Sequence, residues 1–372
     1  GPWIRHLTAL TDLSASQNQL EYLTEAVGEL PGLRRLNLMS NCLVSLPPEL
    51  CLATSLVALN VDGNPLRSPP AEVAREGRGQ ILEYLRRLHA SLLSCALLLT
   101  GMALLHFPVE AQLYTSLTRI DLADNLLEEL PRAVGNQPGL TDLSAAHNRI
   151  RTVDPAICRL AGLVRLHLPF NQLDALPDSV VDLGALTALN LVENAFETLD
   201  LPICHISSLT DLRLSHNKVA TVGPEVGQLA RLRRAHLEHN QLKTLPEEFG
   251  RLTALTYLNL SHNRLETLPE SFDCVTQLNA LDLTANCLSM LPTGIGRCKV
   301  LFTFEFGNNP LGAIPTEIQA AGSAVLIDYL GRLYAAGPPP RREGLPEAFK
   351  GKTRALNLDR LGLDQVPPYV YG

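Results

Sequence analysis

Leucine dominates the apolar positions of this chain, and its spacing is regular. In residues 255–269, LTYLNLSHNRLETLP, apolar side chains alternate with polar ones around LNL and then return at wider intervals. Alternation of period two marks a strand with one buried face. The same pattern, LxxLxLxxNxLxxLP, recurs around a fixed asparagine. Asn18, Asn41 and Asn64 are 23 residues apart, and Asn125, Asn148, Asn171, Asn194, Asn217, Asn240, Asn263, Asn286 and Asn309 keep that period without a slip. A proline follows six positions later in most copies, at Pro47, Pro70, Pro131, Pro177, Pro246, Pro269, Pro292 and Pro315. One such unit cannot bury its own leucines, so the pattern predicts a stacked solenoid. The asparagine, facing inward, must bond the backbone of neighbouring turns. The proline suits the turn out of the strand, where its fixed φ helps and no donor is needed.

Two interruptions break the period. Asn64 and Asn125 are 61 residues apart, and residues 97–108 restore the pattern with Met102 in the asparagine slot. Residues 356–367 do the same with Leu361, 52 residues after Asn309. Both apolar replacements follow an insertion, where a displaced turn would leave an amide without partners. Each insertion opens on Asn-Pro-Leu and runs into helical spacing: Ile81, Leu85, Leu88 and Leu92 in the first, Val325, Tyr329 and Leu333 in the second. These helices are expected to cap the leucine core. The predicted fold class is α/β, a right-handed repeat solenoid (horseshoe) with a concave parallel β-sheet, about 14 repeats and two helical insertions. The expected organisation is three repeats over 1–70, a helical insertion over 71–93 and a ten-repeat block over 94–316. A helical cap with a Pro-rich loop follows over 317–352, then the start of a further repeat over 353–372.

Composition narrows the class. An apolar content of 46% excludes a disordered chain, and 31 basic against 38 acidic residues argue against a nucleic-acid binder. The eight cysteines form no CxxC pair, which points to free thiols in a reducing, cytoplasmic compartment. Cys51, Cys158 and Cys204 fall ten residues after their asparagines, with Cys274 and Cys298 nearby, and all are expected in the packed return segment. Gly1-Pro2-Trp3 does not open a secretory signal. The uncharged run from Leu92 to Phe107 is shorter than the roughly 18–20 residues a spanning helix needs, so no membrane insertion is expected.

With these motifs, the chain resembles the intracellular leucine-rich repeat proteins of the 23-residue LxxLP type, the class of the Shoc/Sur-eight-like scaffolds. The resemblance covers nearly the whole chain. It implies a protein-interaction scaffold in small-GTPase or phosphatase signalling. The Asn-Pro-Leu to YLRRL ending also resembles Roco proteins, and this sets the alternative: a sensing or autoinhibitory arm of a larger GTPase or kinase.

Chemistry finds little support. Gly351-Lys352-Thr353 lacks the earlier glycine of a phosphate loop, since position 346 is Pro. No nucleophile elbow appears. His147, His216, His239 and His262 immediately precede their asparagines and suggest a polar ladder rather than a zinc site. The chain is therefore expected to have no catalytic residues, cofactor, metal or small-molecule substrate. Outward strand positions lie six, four and two residues before each asparagine, with the preceding residue at the rim. In the middle repeats these positions give the candidate binding face: Arg165, His167, Phe170, Arg213, His216, Arg234, His236, Glu238, His239, Tyr257 and His262. Arg and Tyr are common interface anchors, and the cations suggest an acidic or phosphorylated protein segment as partner. The cysteines supply a first test. Adding a reductant should leave the melting temperature unchanged, whereas a fall of many degrees would mean that a disulfide supports the fold.

Overall fold

The computed structural model describes residues 2–108, 114, 116–199 and 201–336. Its chain divides into two compact units, residues 1–186 and 187–372. In the first, the strands Asp12–Ser14, Arg35–Asn37 and Ala58–Asn60 form a parallel sheet. Helices α1 (Ala71–Arg75) and α2 (Arg78–Ser94) follow. Parallel pairing then resumes through Ala96–Leu98, Arg119–Asp121, Asp142–Ser144 and Arg165–His167. The second unit runs through Ala188–Asn190, Asp211–Arg213, Arg234–His236, Tyr257–Asn259, Ala280–Asp282 and Thr303–Glu305. It ends on helices α3 (Thr316–Ala320) and α4 (Ser323–Ala336). This is the α/β solenoid of parallel strands that the leucine spacing predicts. The Leu361 repeat, the Pro-rich stretch and Gly351–Thr353 lie outside the described residues.

Register is constant. Asp12 faces Arg35, Asp142 faces Arg165, and Arg234 faces Tyr257, so residues 23 apart are cross-strand neighbours. The middle residue of most strands is buried: Leu212, Leu258 and Leu281 fully, with Ile120 and Ala235 in the same place, whereas Leu13 and Leu59 in the first sheet are half-buried. On the far side, 3-10 turns such as Pro48–Leu52, Asp178–Asp182 and Glu247–Arg251 carry the return path. The conserved-period prolines sit at their entry. Pro47 and Pro246 accept from the N–H of Leu50 and Phe249, each at 3.0 Å. Their φ values of −67° and −72° suit a ring that fixes this angle.

The asparagines join one repeat to the next. Asn240 donates through Nδ2 to the carbonyl of Leu214 in the preceding repeat (2.9 Å) and to its own Leu237 (3.0 Å). Its Oδ1 accepts the N–H of Val219 at 2.9 Å. Asn41, Asn125, Asn217, Asn263 and Asn286 repeat the same offsets. Where Met102 replaces asparagine, the preceding segment is helical and offers no strand carbonyl. Met102 is buried instead, and its N–H donates to Asn125 Oδ1 at 3.0 Å.

The helices cap the core, with one departure from the expected face. Helix α2 packs on the 48–52 turn and the 96–98 strand, burying Ile81, Tyr84, Leu85, Leu88 and Ser91. Leu92, expected inside, is 49% exposed. The last turn closes through Ser91, whose carbonyl accepts from Cys95 N–H, and Cys95 in a left-handed conformation swings the chain into the next strand. The buried side is thereby carried by Ser91 rather than Leu92. Helix α4 meets the Thr293–Arg297 turn backbone to backbone: a Cβ on Gly296 would lie 2.0 Å from the Gly331 nitrogen.

Two stability changes follow. Asn240→Ala strands a carbonyl pair and an amide in the interior, and should cost roughly 3 kcal/mol or more in a denaturation titration. Met102→Asn should give no compensating gain, because its strand neighbour is absent. Gly296→Ala should loosen α4, read as faster amide exchange across Leu326–Leu333.

Candidate functional site

In the second unit the constant register turns three strands into a grid of outward side chains. Asp211, Arg234 and Tyr257 form one row, Arg213, His236 and Asn259 the next, and Ser215, Glu238 and Ser261 a third. Asp211 is the hub. Its side chain is only 8% exposed, and it accepts from Arg213 Nε and Nη2, both at 3.2 Å, and from Arg234 Nε at 3.1 Å. Burial opposes its ionisation, but the bonds and charges of Arg213, then Arg234 and His236, outweigh it and hold the carboxyl below its usual range. Donating to Asp211 in turn raises the Arg213 pKa.

Glu238 is the second internal acid. Burial again works against its charge, yet its pKa is lowered by His236, by its own backbone N–H and by Ser215. His236 Nδ1 stands 3.8 Å from Glu238 Oε1, an ion-pair distance rather than a hydrogen bond. Tyr257 closes the group, its ring 4.6 Å from that of His236.

The first unit carries a related patch. Arg165 pairs with Asp142, and Arg119 lies 3.6 Å from Asp121. With Ser144 and His167 these four residues line a shallow cavity of about 280 Å3. Phe170 is 43% exposed and stacks on His147 at 4.1 Å.

Every residue immediately before a repeat asparagine, or before Met102, has positive φ, from Gln17 at 57° to Asn308 at 56°. Histidine is among the residues that tolerate this left-handed geometry. His216, His239 and His262 occupy three successive corners and stack ring on ring, 4.2 Å apart at each step. Rings so placed face one another and do not converge on a point, and among the described residues no His, Cys, Asp and Glu group is disposed to hold a metal. His216 also lies 3.5 Å from Glu193. Burial and the two flanking imidazoles depress the His239 pKa.

The strand-and-turn repeat is shared with known proteins. The leucine rich repeat family model matches residues 207–265 and 230–288. A leucine-rich repeat protein of Leptospira interrogans is 30% identical over 83% of this chain and 81% of its own, with a TM-score of 0.51. The chain belongs to the leucine-rich repeat family. The plant peptide hormone receptor RGFR1, in complex with RGF2, is 23% identical with a TM-score of 0.52, and the chain spans 49% of its length. No helix among the described residues of this leucine-rich repeat protein is long and apolar enough to cross a membrane.

Its candidate face differs from the sequence expectation in one respect. The arginines do not make a surface of one sign, because Asp142 and Asp211 pair with them. Both aspartates were legible, each standing 23 residues before an arginine. The partly exposed Asp142–Arg165 pair contributes only about 0.2–1 kcal/mol, whereas the Asp211 carboxylate is buried against its arginines, and in both cases the pairing fixes the arginine side chains. One back-side expectation also changes. Cys51, Cys158, Cys204 and Cys298 are buried as expected, but Cys274 is exposed and donates to Asp273 at 3.2 Å. On the same side, the exposed Glu247 accepts from the N–H of Ser271 at 3.0 Å in the next repeat.

The histidine stack predicts a pH dependence. A folded-state pKa below the free value of about 6.5 means the unfolded chain takes its proton first. The stability held at neutral pH is lost as pH falls from about 6.5 through the lowered folded pKa. Melting temperature should therefore drop between pH 7.5 and 5, and His239→Asn, which tolerates the same φ, should flatten that drop. An equal slope in the variant would remove the stack from the explanation.

Proposed function

We propose that this leucine-rich repeat protein is a non-enzymatic scaffold that binds a partner protein on the outward face of its strands. The observation that carries the reading is the Asp211 hub. It holds Arg213 and Arg234 in place while their side chains remain 43% and 57% exposed. A guanidinium carries five N–H donors, so pairing with one carboxylate leaves donors for a ligand. Preorganised arginines beside Tyr257 form the sort of anchor that binding surfaces use, because less side-chain freedom is lost on association. Arg165, His167 and Phe170 supply a second patch, in the first unit. The partner chemistry that suits the free donors is an acidic or phosphorylated segment, which would share the arginines with Asp142 and Asp211 rather than meet an uncompensated positive field. Small-GTPase or phosphatase signalling in a reducing cytoplasm is the setting that the family resemblance suggests.

Arg213→Gln with Arg234→Gln should release a co-purifying partner, with folding checked by circular dichroism. Arg251→Glu, on the opposite turn, should retain it. Binding through these arginines should also weaken with added salt. If the folded double variant keeps its partner at wild-type affinity, the strand face of this unit is not the binding site.

A further inference from the structure

The stack of rim side chains in the second unit stops abruptly. His216, His239 and His262 lie ring on ring at 4.2 Å, and the next two corners are Ala285 and Asn308. The backbone path does not change: φ is 53° at His262, 56° at Ala285 and 56° at Asn308. Ala285 N–H bonds the Gly307 carbonyl at 2.9 Å, so the following repeat is in place. Only the side chain is missing. One face of the His262 ring is covered by His239, and the next corner on its other side carries only the methyl group of Ala285.

The width of this gap follows from the repeat. The rings of the stack advance by 4.2 Å per corner, so side chains two corners apart, as at His262 and Asn308, are separated by about 8 Å. A planar group lying between an imidazole and a carboxamide, in contact with both, needs about 7–8 Å. The slot therefore admits one planar layer and not two.

Charge then selects among planar groups. Asp282 stands three residues before Ala285, and Glu305 three before Asn308, both on the outward face. Asp282 accepts a bond from the Thr284 N–H at 2.9 Å. Among the described residues, no Lys, Arg or His pairs with either acid, in contrast to Asp142 and Asp211, whose arginines are supplied by the chain itself. A lysine ammonium has the charge but no plane. A phenyl or phenol ring has the plane but leaves both carboxylates unanswered. A guanidinium has both, stacking on an aromatic face while its edge N–H groups meet carboxylates.

We infer that the slot over Ala285, between His262 and Asn308, receives the guanidinium of a partner arginine. This deepens the reading of the strand face as a protein-binding surface. It adds a basic residue to a partner whose acidic or phosphorylated part meets Arg213 and Arg234.

The test uses the full chain and small probes, so that its outcome is independent of whether any partner is retained by the arginine variants above. N-acetyl-arginine amide, N-acetyl-lysine amide and N-acetyl-tyrosine amide are titrated separately at pH 7.5 while the His262 ring Cε1–H resonance is followed by NMR. The arginine probe should give a saturable shift in the millimolar range, at least tenfold tighter than the other two. Ala285→His places in the slot the residue that the preceding corners already accommodate. It should weaken the arginine response at least tenfold with the rest of the spectrum preserved. Asp282→Asn with Glu305→Gln, which leaves the slot open, should weaken it several-fold. The inference is overturned if His262 does not respond to the arginine probe, if the lysine or tyrosine probe binds as well, or if filling the slot leaves the arginine titration unchanged.

Discussion

The asparagine carboxamide is the interaction on which the remaining structure depends. An inward-facing amide cannot remain unpaired, and at Asn240 it meets the demand by bonding its own repeat and the one before it. The leucines alone would tolerate small slips, because burial is not directional. The amide does not, since its two donors and its acceptor each require a backbone group at a set position. It thereby fixes the repeat-to-repeat offset at 23 residues, which the strand pairing shows throughout each unit.

From that constant offset comes the outward face. Side chains 23 apart become fixed neighbours, whatever their chemistry. The pairing of Asp211 with Arg234, the stacking of His216, His239 and His262, and the contact of His236 with Tyr257 are all products of the same register. None of these contacts holds the solenoid together. They order side chains on a surface whose stability is supplied from beneath, and that separation leaves the face free to carry recognition.

Much of this was legible in the sequence, because a repeat of fixed length converts position directly into neighbourhood. The strands, the inward asparagines, the two helical interruptions and the histidine ladder all follow from the spacing. Counting charges without asking what each faces made Arg165, Arg213 and Arg234 look like an open cationic patch, when the acids of Arg165 and Arg234 stand one repeat away and that of Arg213 two residues before it on the same strand. Other features depend on geometry the spacing does not encode. The left-handed corner before each asparagine accepts residues as different as Gly63, Phe170 and His239, so no single residue type announces it. The burial of Ser91 in place of Leu92 is decided by the turn at Cys95.

Exchange of the asparagine side-chain amide protons tests the central claim most directly. If the carboxamides of Asn217, Asn240 and Asn263 tie the repeats together, their Nδ2 protons should exchange with deuterium orders of magnitude more slowly than those of Asn279, which is exposed just before the strand Ala280–Asp282. Their protection should approach that of the strand amides beside them. Exchange of all four at the same fast rate would mean that the amides are open to water, and that leucine packing alone sets the repeat.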